Sequence, residues 1–279
     1  MKFSNLGRPI DQEFFPNVAI VVVTIITIAS GTVFKVITDE NISFSLIFGF
    51  LLGVNVFLTW ALSREIDPDN DFSAFVQMPI TIWGMLYFEI PNLFLMLLAL
   101  MSLRTLNRTT GLKSTWFDTI LWFIVGCIMI YVGDWLAGAL LGAAYILDGM
   151  LSNPLRRNLY FGIAALIFAL VYFFIAGSVE FMKNVQTWQW IAVIISVLIY
   201  LPVILNSTPP VSECDNTYDK VPLDRLKAAQ VLPLLIAVCY MLLVGEEGLK
   251  LTYPFWAMML GVGLYNIYKK FKKPEAAQP

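Results

Sequence analysis

The sequence predicts an all-α, polytopic integral membrane protein, built as a helical bundle with about ten apolar passes. Of its 279 residues, 58% are hydrophobic and 14% are charged, against roughly 25% charged in ordinary soluble domains. Apolar runs of about 20 residues, the length that a helix needs to cross a bilayer core of ~30 Å, recur along the whole chain. We therefore expect one membrane domain over residues 1–279, in the cell membrane if the source is prokaryotic, with a retained first helix.

Six apolar runs are each typical of a single membrane span. They are Phe15–Val36, Ser43–Leu62, Leu159–Ile175, Trp188–Leu205, Val231–Val244 and Pro254–Tyr268.

Two further apolar runs, 72–103 and 116–151, are long for one span and short for two. Each contains an acidic residue near its middle, Glu89 in the first and Asp134 in the second. We interpret each run as a helical hairpin with that carboxylate at or near its tip. Ile90–Leu103 would give about 21 Å of helix at 1.5 Å per residue, so both full crossing and a re-entrant hairpin stay open.

The distribution of basic residues favours both hairpins, because Lys and Arg accumulate in cytoplasmic loops. With ten passes, all of the 18 basic residues except Lys35, Lys183 and Lys250 fall on one side. This arrangement predicts cytoplasmic termini, a long cytoplasmic loop at 206–228 and a basic C-terminal tail at 269–279.

The most unusual segment follows the second span on the expected cytoplasmic side, where a stretch of seven residues contains four carboxylates. They are Glu65, Asp67, Asp69 and Asp71. Alternating carboxylates on an extended or turning segment can converge on a hard cation, so Mg²⁺ is the predicted metal, with Asp148 as a further candidate ligand. The alternative is a solvated acidic turn that also caps the next helix.

Phosphate groups are the expected partners of such a metal, because Mg²⁺ is often held by one or two carboxylates together with substrate phosphates. Two neighbouring loops on the same side supply candidate phosphate-binding side chains, namely Arg104, Arg108, Arg156 and Arg157.

This layout resembles that of membrane-embedded prenyltransferases of the UbiA type, which carry acid-rich cytoplasmic motifs after their second and sixth helices. The resemblance implies Mg²⁺-dependent binding of an isoprenoid diphosphate. It covers the topology and one loop. The family's NDxxDxxxD pattern is absent, since Asp69-Asn70-Asp71 stands here, and Asp148 has no paired carboxylate.

The composition also excludes several classes of function. There is no histidine, so His-containing triads and His-ligated zinc or haem are excluded, and we expect neither cofactor. The three cysteines form no CxxC pair, so no disulfide is expected. A net charge of −2 gives no basic field for nucleic acid, and the expected partner is the lipid bilayer, including anionic or phosphorylated lipid.

Three functions remain open at this point. The first is an Mg²⁺-dependent enzyme acting on a lipid or prenyl phosphate at the cytoplasmic face. The second is a ten-helix transporter with inverted repeats, in which Glu89 and Asp134 carry protons or cations. The third is a non-catalytic component of a membrane assembly, and the oligomeric state is open in all three.

Overall fold

The computed structural model describes residues 3–39, 41–88, 90–177 and 179–272. The prediction of an all-α protein is confirmed, since 74% of the chain is helical and the described residues form no strand. In chain order the helices are α1 (Phe15–Asp39), α2 (Ile42–Ile66), α3 (Ser73–Val76), α4 (Met78–Tyr87), α5 (Leu93–Asn107), α6 (Trp116–Tyr131), α7 (Trp135–Met150), α8 (Arg156–Ala176), α9 (Thr187–Leu205), α10 (Leu223–Val244), α11 (Glu246–Leu251) and α12 (Tyr253–Lys272).

Five of these helices, α1, α2, α8, α9 and α10, are long and apolar enough to cross a membrane. Helices α5, α6 and α7 are apolar but shorter, with 15 or 16 residues each. The first predicted hairpin is formed by α3, α4 and α5, the second by α6 and α7, and α12 covers the last predicted span. The chain is therefore a multi-pass membrane protein by helix length and composition, while the count of ten passes stays a prediction.

Local sequence signals explain where several helices begin. The Thr115 side chain and the Asp118 carboxylate form a capping box at the start of α6, which satisfies donors that a helix N-terminus leaves free. Helix α10 begins directly after Pro222, as a proline at a helix start predicts. The loop predicted at 206–228 is therefore shorter, because α10 begins at Leu223 and continues without a break to Val244.

Two GxxxG patterns, Gly49 with Gly53 on α2 and Gly138 with Gly142 on α7, place small residues where helices can approach closely. A Cβ atom on Gly49 of α2 would lie 2.5 Å from the Ile28 carbonyl oxygen of α1. A Cβ atom on Gly142 of α7 would lie 3.1 Å from the Gly162 carbonyl oxygen of α8. Both patterns therefore serve packing inside the bundle.

The connections that carry most of the charged residues meet at one end of the bundle, which we call the loop end. Arg104 in the last turn of α5 pairs with Glu65 at the end of α2, and Ser152 after α7 hydrogen-bonds Asp224 of α10. At the opposite end, the far end, the Glu180 backbone N–H donates to a carbonyl of α10. The loop end thus brings together the segments that the sequence marks as candidate sites.

Candidate functional site

A cavity of about 840 Å³, here the arginine pocket, opens at the loop end beside α2. One face of α2 lines it through side chains spaced three or four residues apart, namely Phe57, Trp60, Ala61, Arg64 and Glu65. The first three are apolar or aromatic and the last two are charged. Phe57 and Glu65 are eight residues apart, about 12 Å along the helix, so the wall changes from apolar at depth to charged at the end of the helix.

Three arginines line the arginine pocket, and Glu65 orients two of them. Arg104 Nε donates to Glu65 Oε1 at 3.0 Å, and Arg8 Nη1 lies 3.6 Å from the same oxygen. The second carboxylate oxygen accepts from Asn107 Nδ2 at 3.0 Å and from Thr109 Oγ1 at 2.6 Å. Glu65 is buried, so this carboxylate acts as a fixed counter-charge behind the wall.

The third arginine, Arg64, lies at the charged end of the α2 wall. It forms an ion pair with Asp71, whose side chain is 35% exposed, and its guanidinium lies 5.8 Å from the centre of the Phe14 ring. The ion pair is partly buried, because only 14% of the Arg64 side chain is exposed.

The connection between α9 and α10, residues 206–222, lies over the mouth, and we call it the strap. Arg8 holds it by a two-point contact with Asp215, with Nε 2.6 Å from Oδ2 and Nη2 2.8 Å from Oδ1. Burial alone would lower the pKa of Arg8, but Glu65 and Asp215 together raise it above its usual value. The Asp215 backbone N–H also donates to the Thr109 carbonyl at 3.1 Å, which fixes the strap to the end of α5.

Asp69 provides a second anchor for the strap. Its carboxylate accepts backbone hydrogen bonds from Val211 at 3.0 Å and from Ser212 at 2.8 Å. Burial opposes the charge, but these donors hold the pKa of Asp69 below its usual value. The ionised form of Asp69 therefore fastens the strap at neutral pH.

The four predicted metal ligands of the acidic segment contact different partners in the structure. Glu65 and Asp71 line the arginine pocket, where both pair with arginines. Asp67 and Asp69 line a separate cavity of about 260 Å³ on the other side of Pro68. Within residues 3–272, apart from the three undescribed positions, no three His, Cys, Asp or Glu side chains form a group that could hold a metal ion. The four carboxylates therefore do not converge on one point, and Mg²⁺ stays a prediction from the sequence.

Asp67 is the buried member of this segment, at 8% exposure. Its oxygens accept from Asn70 Nδ2 at 2.7 Å and, more weakly, from Asn266 Nδ2 at 3.5 Å. Burial raises the pKa of Asp67 above its usual value.

Asp148, the fifth predicted metal ligand, lies in a buried ionic cluster, here the Asp148 node. Its Oδ1 accepts from Arg108 Nε at 2.9 Å and from Arg225 Nη1 at 2.8 Å, and its Oδ2 accepts from Asn158 Nδ2 at 2.9 Å. Arg225 is 1% exposed and also donates to the Leu106 carbonyl. The node therefore joins the ends of α5, α7, α8 and α10, and its contacts are those of a structural element.

The four predicted phosphate-binding arginines are separated by the fold. Arg104 lines the arginine pocket, whereas Arg108 is buried in the Asp148 node. Arg157 donates to a backbone carbonyl and lies 4.6 Å above the Trp116 ring, and Arg156 is exposed at the start of α8. The loops are neighbours, as predicted, but their arginines do not form one cluster.

Of the two transport candidates, Asp134 lies at the far end and Glu89 lies outside the described residues. Asp134 is the N-cap of α7 and accepts from the Ala137 backbone N–H at 3.1 Å. It also accepts from the buried Tyr240 hydroxyl. These contacts give Asp134 a capping role.

The sequence placed Arg8 and Arg225 on the loop side, but they were not named as site residues, and the lining face of α2 was not singled out. The sequence carries a signal for that face, because Phe57, Trp60 and Arg64 follow the helical repeat with the charge placed last. No comparable local signal marks Arg8, which reaches the pocket from a non-helical segment before α1.

Comparisons with known proteins do not assign the chain to a family. No protein-family model, no curated protein and no solved structure matches the chain.

Proposed function

We propose that this multi-pass membrane protein binds an amphiphile with a phosphorylated head group in the arginine pocket, and that the loop end faces the cytoplasm. Lipid phosphates and prenyl phosphates share this chemistry. The observation that carries the proposal is one continuous wall, in which the aromatic residues Phe57 and Trp60 lead to the arginines of the loop end. The orientation is supported by the basic residues that the sequence concentrates in the same connections.

The polar part of the pocket is suited to a phosphate. Arginine presents a planar array of donors that matches phosphate oxygens, and here Arg8, Arg64 and Arg104 all border one cavity. Trp60 adds a further donor on this wall: it is 7% exposed, and its buried indole Nε1–H has no hydrogen-bond partner among the described residues. An acceptor oxygen on the ligand would satisfy this donor.

The apolar part is suited to a hydrocarbon chain. Phe57 and Ala61 lie deeper along α2 than Arg64, and Phe14 at the start of α1 borders the same cavity. A volume of about 840 Å³ is within the range of about 300–1,000 Å³ typical of small-molecule sites. The proposal stops at binding, because the acidic side chains of the described residues do not form a metal group.

Binding of phosphatidic acid and of farnesyl diphosphate to the purified protein in a neutral maltoside detergent tests the proposal. Arg64→Gln removes a charged hydrogen-bond donor of a type that contributes about 1.5–3 kcal/mol, so we expect the Kd to rise about 10- to 100-fold. Arg156→Gln is the matched control, because Arg156 is exposed at the start of α8 and does not border the pocket.

Saturable binding that weakens in Arg64→Gln and not in Arg156→Gln supports the proposal. The response to the two ligands distinguishes a glycerolipid phosphate from a prenyl phosphate. Absence of saturable binding by these two ligands and also by phosphatidylethanolamine, or equal loss in both variants, contradicts the proposal.

A further inference from the structure

The arginine pocket contains more negative than positive side chains. Its three arginines are accompanied by five carboxylates: Asp11, Glu65, Asp71, Glu213 and Asp215. With every group ionised, the lining carries two net negative charges. A head group that is only anionic would therefore add charge of the sign already in excess.

The ion pairs show where this excess lies. Arg8 pairs with Glu65 and Asp215, Arg64 pairs with Asp71, and Arg104 shares Glu65.

The two remaining carboxylates, Asp11 and Glu213, lie at the mouth of the pocket. Both are exposed, and among the described residues neither has a basic side chain within ion-pair distance. Asp11 accepts a hydrogen bond from the Glu13 backbone N–H at 2.9 Å. The three arginines beside α2 and α5 are thus balanced by Glu65, Asp71 and Asp215, and the unbalanced negative charge lies at the exposed Asp11 and Glu213.

Resting on the function proposed above, we infer that the head group carries a cationic amine beyond its phosphate, as in phosphoethanolamine. The phosphate lies against Arg64 and Arg104, and the ammonium lies between Asp11 and Glu213. This placement adds no net charge to a lining that is already negative, and it gives each end of the head group a counter-charge. A divalent cation accompanying a simple phosphate is the competing source of positive charge, and the test separates the two.

The experiment measures the affinity of the purified protein for three lipids with identical acyl chains, each with and without Mg²⁺. They are phosphatidylethanolamine, phosphatidylglycerol and phosphatidic acid. We expect phosphatidylethanolamine to bind at least about fivefold more tightly than phosphatidylglycerol, independently of Mg²⁺.

The double variant Asp11→Asn with Glu213→Gln removes both mouth carboxylates. We expect it to bring the ratio of the two affinities close to one, mainly by weakening phosphatidylethanolamine. Asp219→Asn is the matched control, because Asp219 is an exposed carboxylate of the strap that does not border the pocket.

Equal affinity for the two lipids, or a preference that the double variant retains, overturns the inference even if Arg64→Gln still weakens binding. Tight binding of phosphatidic acid that requires Mg²⁺ also overturns it, since a metal would then supply the positive charge. If none of the three lipids binds, the proposed function itself fails.

Discussion

Replacing Asp148 by asparagine should lower the stability of the loop end. The carboxylate is fully buried and lies between two buried arginines, Arg108 and Arg225. Asparagine has nearly the same shape, so the substitution removes the negative charge while leaving little change in volume. Both guanidinium groups would then remain buried without their counter-charge.

The magnitude follows from the contacts that are lost. Removing one partner of a buried ion pair costs about 3–5 kcal/mol, because the remaining charge stays buried without compensation. In the Asp148 node one carboxylate serves two arginines, and its other oxygen accepts from Asn158 at 2.9 Å. A loss of about 3 kcal/mol corresponds to a fall in Tm of roughly 6–12 °C for domains of 150–250 residues.

Thermal unfolding followed with a thiol-reactive dye measures this effect in detergent. Cys214 is buried on the strap, and its thiol donates to the Arg108 carbonyl, so it becomes reactive when the loop end opens. Asp219→Asn, an exposed carboxylate on the same strap, is the control and should leave the Tm within about 1 °C of the parent. A Tm for Asp148→Asn that equals the control would refute the assignment of the node as a stabilising centre.

Three further predictions concern the far end, the strap and the second hairpin. Gly245→Ala should destabilise the fold by about 1–3 kcal/mol and lower the Tm, because φ is +74° and a Cβ atom would lie 2.4 Å from a carbonyl oxygen. Gly7→Ala is the control and should leave the Tm unchanged, because a Cβ atom there would lie in open space. In the folded protein the pKa of Asp69 lies below the ordinary aspartate value of about 3.9. The ionised carboxylate therefore contributes its full stabilisation of the fold above about pH 3.9, and this contribution is lost as the pH falls through the folded-state pKa. The difference in Tm between the parent and Asp69→Asn should therefore be largest at pH 6 and should shrink below about pH 4. A difference that stays constant with pH would contradict this role of Asp69. A phosphatase fused after Gly133 should be active and one fused after Lys113 inactive, whereas two inactive fusions would indicate a re-entrant hairpin.

The helical elements could be predicted because each depends on local sequence. Apolar length alone locates α1, α2, α8 and α9 to within a few residues. Apolar length does not locate the start of α10, because the apolar run begins at Val231 whereas the helix begins at Leu223, directly after Pro222.

The partners of the loop end could not be predicted, because they depend on which connections meet in space. Asp148 was interpreted as a metal ligand, and its actual partners Arg108 and Arg225 lie 40 and 77 residues away in sequence. Glu65 appeared as one of four similar carboxylates, but the helix end directs it toward Arg104 while Asp69 reaches the strap. Such pairings follow from tertiary packing and leave no periodic trace in a single sequence.

The central claim, that the arginine pocket holds a phosphorylated amphiphile, is tested most directly by photo-crosslinking. A phosphatidylethanolamine with a diazirine in its acyl chain would be irradiated in complex with the purified protein, and the labelled peptides identified by mass spectrometry. We expect label on α2 between Phe57 and Ala61 and on α1 near Phe14, with competition by unlabelled lipid and loss in Arg64→Gln. Label confined to the outer faces of α8 and α9, unchanged by competitor, would contradict the claim.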